Sequence, residues 1–211
     1  MKIEIFSDIA CPFCYIGKKR LEKVLKDLEP SFPEGFEIVY KSYQLDPSYH
    51  YQAGDTALSY LENNKQIPKD RIEAMFQQLK EMGQQAGVLI NLDKNLPSNT
   101  LDAHRLLQWA QTKNTSEKLL DLLFQAHFEQ GLLIEDHNVL IQLVESCKLD
   151  PIEAKDILSS EKYLYEVNQD IMEARNLGVT GVPFFIFNER VAFSGAQAEE
   201  HFIGAIKQAT E

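Results

Sequence analysis

Residues Lys2 to Ser7 are short and β-branched, with Ile3 and Ile5 alternating against Lys2, Glu4 and Phe6, a pattern that predicts a strand ending at Ser7-Asp8. From Pro12 the apolar spacing lengthens to helical period. Phe13, Ile16, Leu21, Val24, Leu25 and Leu28 form a stripe, and the lysines at 18 and 19 fall on the face that reads as solvated. Pro30, Pro33 and Gly35 end that helix, and Phe36 to Gln44 returns to strand period. The first 44 residues therefore form a β-α-β unit, with a crossover long enough to join parallel strands.

Between Asp55 and Leu177 no convincing strand occurs, while helical signals recur. Pro68 to Ala86 carries Ile72, Met75, Phe76, Leu79 and Met82 at helical spacing. Ser98-Asn99, Ser116 and Asp136 each precede a further apolar run, and a run from Glu161 ends at Leu177 with Gly178 in the position a capping glycine prefers. Strands return at Phe184-Phe185-Ile186-Phe187 and Val191-Ala192-Phe193-Ser194, around the polar turn Asn188-Glu189-Arg190, and a short helix over 197–209 follows. The predicted fold is α/β, with one four-stranded sheet built from residues 1–50 and 178–211. An all-helical insertion, residues 51–177, interrupts it with its two connections close together.

Length and composition fit this plan: 211 residues suffice for one unit carrying another inside it, and the apolar and charged fractions of 44% and 25% are ordinary globular usage. The formal charge of −11 repels phosphate backbones and anionic membrane surfaces, so neither nucleic acid nor a membrane is an expected partner. The first residues, Met1-Lys2-Ile3-Glu4-Ile5-Phe6, carry charge where a secretory signal needs an unbroken apolar core, so a cytoplasmic location is expected. Three cysteines are too few for a disulfide scaffold. Their importance is chemical.

Cys11-Pro12-Phe13-Cys14 directly follows a strand and opens a helix. Cysteines three apart on a helix share a face, and the unpaired N–H groups and dipole of a helix N-terminus favour an anion, here the thiolate of Cys11. A thiolate that attacks and leaves readily is what disulfide exchange requires. Cys11, at the exposed N-cap edge, would be the nucleophile; Cys14, one turn inside, would be the resolving thiol. Pro12, with its fixed φ, fits the first helical turn. Half of a zinc site would show the same spacing, but Cys147 is alone and the histidines at 50, 104, 127, 137 and 201 have no ligand spacing, so no metal is expected. Two inert core cysteines are the other reading of the pair.

Gly178-Val179-Thr180-Gly181-Val182-Pro183-Phe184-Phe185-Ile186 places a proline at the entry of an apolar strand, where its missing N–H is tolerated. Either an ordinary trans bond or a cis Val182-Pro183 bond fits this position. A cis bond would turn the Val182 backbone outward, able to pair with an extended peptide.

Taken together, strand, Cys11-Pro12-Phe13-Cys14, helix, strand, helical insertion, Gly181-Val182-Pro183-Phe184-Phe185 and the final Phe193-Ser194-Gly195-Ala196-Gln197 resemble the DsbA-like branch of the thioredoxin superfamily. Within it the chain is most similar to the leaderless FrnE-like group, itself related to 2-hydroxychromene-2-carboxylate isomerases and kappa-class glutathione transferases. The resemblance implies a thioredoxin fold (β-α-β then β-β-α) with a helical insertion, a redox-active Cys11–Cys14 pair, and a cis Val182-Pro183 bond facing it. Ser98-Asn99-Thr100-Leu101-Asp102-Ala103-His104-Arg105-Leu106 also resembles a signature of the group, which implies that Asn99 and His104 approach the active site from the insertion. On local pattern alone Asn99 fits a helix N-cap, and His104 is either a proton donor or acceptor near the thiols or a helix-surface or structural histidine.

The expected activity is thiol-disulfide exchange, with Cys11 and Cys14 the reacting groups, Pro12, Phe13 and Pro183 completing the catalytic motif, and Val182, Asn99 and His104 contacting substrate. The alternative is a glutathione-dependent isomerase or transferase, against which Cys14 argues, because those relatives characteristically carry Ser at the Cys11 position and need no second thiol. No cofactor is expected beyond the redox disulfide, with glutathione a possible co-substrate. Partners would be thiol- or disulfide-containing proteins or small molecules, and the apolar Phe13, Val182 and Phe184 suit an apolar rim. Asp8 is either a proton relay to Cys14 or a turn residue. Cys147, on the apolar face of its helix, reads as core.

Overall fold

A computed structural model of the chain describes residues 1–211. Strand β1 (Lys2–Ser7) leads into helix α1 (Pro12–Leu28) and strand β2 (Glu37–Ser42). Helices α2 (Ala57–Lys65), α3 (Lys69–Gln85), α4 (Leu101–Thr112), α5 (Ser116–Phe124), α6 (His137–Ser146), α7 (Pro151–Leu158) and α8 (Leu164–Asn176) follow. Strands β3 (Phe184–Phe187) and β4 (Val191–Ser194) and helix α9 (Glu199–Thr210) close the chain.

The four strands form one sheet in the order β2-β1-β3-β4. β1 runs parallel to β2, and β3 is antiparallel to both β1 and β4, with Ile5 opposite Phe185. On one face Ile3, Ile5, Phe185 and Phe187 pack against Leu21, Val24 and Leu25 of α1 and Phe202 and Ile206 of α9. Phe6 points to the opposite face, where it is fully buried with Ala174 of α8 and Val179. This second helical layer explains why an aromatic residue stands at a position that a one-sided strand would leave polar. Each fully buried Phe contributes about 1.5–3 kcal/mol of transfer free energy.

A separate buried cluster begins at Ile9, Cys11, Cys14, Tyr15 and Ile16 and runs through α3, α4, α5, α6 and α7. Tyr15 stacks on Phe124 at 4.9 Å between ring centroids. The first half of α1 therefore belongs to the core of the helical block and the second half to the core of the sheet.

Three sequence expectations change. Lys18 is not solvated: its side chain is 2% exposed and ion-paired to Asp121 of α5 at 2.9 Å and to Glu22. Lys19, half-buried, shares the same carboxylates. The α1 surface on which both lie is where α5 docks, so the basic face of one helix meets the acidic face of another. Helices α2 and α7 are additional to those the periodicity predicts. Finally, β2 is shorter at both ends than 36–44, and the last helical run of the insertion begins at Leu164 rather than Glu161.

Candidate active site

The chain leaves β1 through a turn in which the Cys11 N–H donates to the Asp8 carbonyl at 3.1 Å. Cys11 is the N-cap of α1 and Pro12 its first residue, where a missing N–H costs nothing. The cap is not an exposed edge, as the sequence suggested: Cys11 is only 4% exposed and Cys14 2%. Cover comes from Val182, whose carbonyl accepts the Cys11 Sγ at 3.5 Å. The Val182-Pro183 peptide is cis. Helix α1 comes this close to Pro183 because residue 17 is glycine; a Cβ there would lie 3.1 Å from the Pro183 ring and 3.2 Å from Phe185. The β4–α9 turn closes on the same helix, where Arg20 donates to the Ala196 carbonyl at 2.6 Å and Gly195 takes a φ of +88°.

None of the three cysteines is joined in a disulfide. Burial, and then the neighbouring Cys11 thiol, push the Cys14 thiol well above its ordinary range, while Ser7 and the Asp8 backbone pull it partly back. Asp8, buried at the end of β1, accepts from the Leu45 N–H at 2.8 Å and faces His104 Nε2 at 3.4 Å. His104 thus reaches the strand that leads to Cys11, through Asp8. Its own ring lines a small pocket on the Ser7 and Ser42 side.

Asn99 does not line the space in front of Cys11. It accepts from the Leu101 N–H at 2.9 Å at the head of α4, and its amide donates to the Pro47 and Tyr49 carbonyls at 3.0 and 2.9 Å. Asn99 clasps the segment after β2 to the start of α4, while its neighbours Ser98 and Thr100 face the open side. Cys147 is buried at the end of α6.

In front of Cys11 lies a cavity of about 380 Å³. Ala10, Pro12 and Phe13 form its α1 side, and α2 and α3 contribute Tyr60, Leu61, Met75, Phe76 and Leu79. None of these α2 and α3 residues was expected at the site, although Met75, Phe76 and Leu79 were read as a helix's apolar stripe, because only tertiary packing brings them to the thiols. His127 was missed in the same way. It lies in a π-helical turn, Gln125–Glu129, that extends α5, and π turns are frequent at functional sites. Its ring lines the cavity, its Nδ1 has no hydrogen-bond partner, and burial pushes its pKa down to about 4 against the pull of the Asp8 charge. No group of three or more His, Cys, Asp or Glu side chains is placed to hold a metal ion.

A parallel β-α-β unit and an antiparallel hairpin sharing one sheet, with two thiols at the head of the first helix, are the arrangement of the thioredoxin fold. Family comparison narrows this class: residues 2–207 match the DSBA-like thioredoxin domain. The chain belongs to that family. A probable DsbA oxidoreductase from Streptomyces coelicolor is 34% identical, with a TM-score of 0.91 over 100% of this chain and 90% of its own. A 2-hydroxychromene-2-carboxylate isomerase shares the fold at 16% identity and a TM-score of 0.72, over 100% and 96% of the two chains. The cytosolic disulfide reductase DsbM from Pseudomonas aeruginosa, in a structure with glutathione, does so at 15% identity and 0.64, over 99% and 95%. No helix is long and apolar enough to cross a membrane.

Proposed function

We propose that the protein is a thiol-disulfide oxidoreductase working through Cys11 and Cys14. The reading rests above all on the Cys11 thiol at the head of α1, 3.5 Å from the Val182 carbonyl, with Cys14 one turn behind and an open cavity in front. In the reducing direction the Cys11 thiolate attacks one sulfur of a substrate disulfide, forming a mixed disulfide and releasing the other sulfur as a thiolate that takes up a proton. Cys14 then loses its proton and attacks the Cys11 sulfur, which frees the second substrate thiol and leaves a Cys11–Cys14 disulfide. The oxidising direction is the reverse. Pro12 starts the helix that presents the thiols, Phe13 and Pro183 form the apolar walls around them, and the Val182 carbonyl orients the reacting sulfur. His104 acts through Asp8, a positioning role rather than a substrate contact, and Asn99 holds the wall of the site in place.

The raised position of the Cys14 thiol suits a resolving group that stays protonated until the mixed disulfide forms. A glutathione-dependent isomerase would have no use for that second thiol, and likeness to the isomerase extends to the fold alone. A reducing compartment, such as the cytosol named for DsbM, suits a resting dithiol. Cys11→Ser is expected to abolish reduction of insulin by dithiothreitol above background. Full activity in that variant would overturn the assignment.

A further inference from the structure

We propose that the cavity beside Cys11 binds a small, predominantly apolar ligand that is neutral or cationic, and discriminates against glutathione. The inference names the substrate class of the exchange reaction and so rests on that reading. At about 380 Å³ the space falls at the lower end of sites that enclose small molecules. Hydrophobic side chains supply 13 of its 22 lining residues, so most of a ligand's contacts would be apolar. Phe76 and Phe128 offer aromatic surface.

Charge decides against an anionic peptide. The lining holds two carboxylates, Asp8 and Asp46, and one cation, Lys65. Lys65 is already spent on Asp46, at 2.7 Å, where Tyr60 also donates at 2.7 Å. No arginine lines the cavity, and the whole chain carries −11. Glutathione brings two carboxylates and one ammonium, and burying its surplus negative charge without a free cation is unfavourable. A neutral aryl or alkyl disulfide meets no such cost. The His127 ring, held neutral by burial, adds no cation to this lining that could offset an anionic ligand.

In the reaction, the reduced pair and a ligand disulfide RSSR give the Cys11–Cys14 disulfide and two RSH. The two electrons come from the cysteines and the two protons from their thiols. Three disulfides separate the possibilities: neutral 4,4′-dithiodipyridine, dianionic 5,5′-dithiobis(2-nitrobenzoate) and oxidised glutathione. Each rate with the reduced protein is divided by the rate with free dithiothreitol, which removes intrinsic reactivity. The neutral compound is expected to show at least about tenfold greater enhancement than oxidised glutathione, as burial of one ring implies. Equal or greater enhancement with oxidised glutathione would overturn the proposal.

Binding without redox chemistry is measured on Cys11→Ser by calorimetry, with thioanisole and S-methylglutathione as probes. Thioanisole is expected to bind the more tightly, and Met75→Trp, or Leu61→Trp should the first fail to fold, to weaken it about tenfold by filling the cavity. Tighter binding of S-methylglutathione, or no effect of either filling variant, counts against the site. If no disulfide is exchanged while Cys11→Ser still binds thioanisole, the redox reading fails and the ligand class stands.

Discussion

Cys11 and Cys14 are one helical turn apart and meet different surroundings. Cys11 opens onto the cavity, and Cys14 lies behind it with its thiol pushed up by burial. The proposed division of attack and resolution rests on this asymmetry, and the pair was legible in the sequence because spacing, strand and helix start are all local. His127 was not, since nothing within a few residues of it distinguishes a core histidine from one that lines a site. Its titration is measurable. The folded protein holds the ring neutral down to about pH 4, whereas its ordinary pKa is 6.5. A lowered pKa means that this contribution to stability is fully present above pH 6.5 and is lost as the pH falls toward 4. The difference is worth up to about 3 kcal/mol. Urea denaturation across that window should therefore show a shallower decline for His127→Gln than for the wild type. Parallel declines would mean that the ring is not held neutral.

Elements were readable where one face alone is buried. Most helices fit that description, and so their periods survive in the sequence, whereas β1, covered on both faces, was readable from its short β-branched run ending at Ser7-Asp8. Helix α2 did not announce itself: its capping box pairs Thr56 with Ser59, not with the usual Glu or Gln, and it is only nine residues long. Helix α7 carried a sign that went unused, the N-cap Asp150 followed by Pro151 at the first position. The first half of α1 shows how docking changes a surface. Lys18 looks solvated from its neighbours in sequence, but the carboxylates that bury it come from Glu22 on its own helix and Asp121 on α5. Lys18→Ala leaves those carboxylates to Lys19 alone, and because each is 27% exposed the expected cost is nearer 2 kcal/mol than the ~3–5 of a fully buried pair. Lys18→Met, which keeps the packing of the stem, should recover part of it. Equal stability of all three proteins in urea would show that the ion pairs contribute nothing net.

At the scale of the molecule, the four-stranded sheet and the helical character of the middle were legible from chain order. The sharing of α1 was not, because periodicity shows that a face is apolar without showing which partner covers it. Tyr15 and Ile16 pack with the helical block, and Leu21, Val24 and Leu25 pack with the sheet. Unfolding residues 51–177 alone would strip cover from Cys14, Tyr15 and Ile16 and break the stacking of Tyr15 on Phe124. Exposing Tyr15 and its partners costs about 1.5–3 kcal/mol per large side chain, enough to suppress partly unfolded forms by orders of magnitude. The block and the sheet should thus unfold together, and the helix that carries the thiols is what joins them. Hydrogen exchange under rising urea tests this in peptides covering 119–128 and 184–194. Both should converge on one unfolding free energy. If the helical peptide opens at a free energy more than about 1 kcal/mol below the strand peptide, the block is an independent unit. Helix α1 would then hold its thiols on the sheet alone.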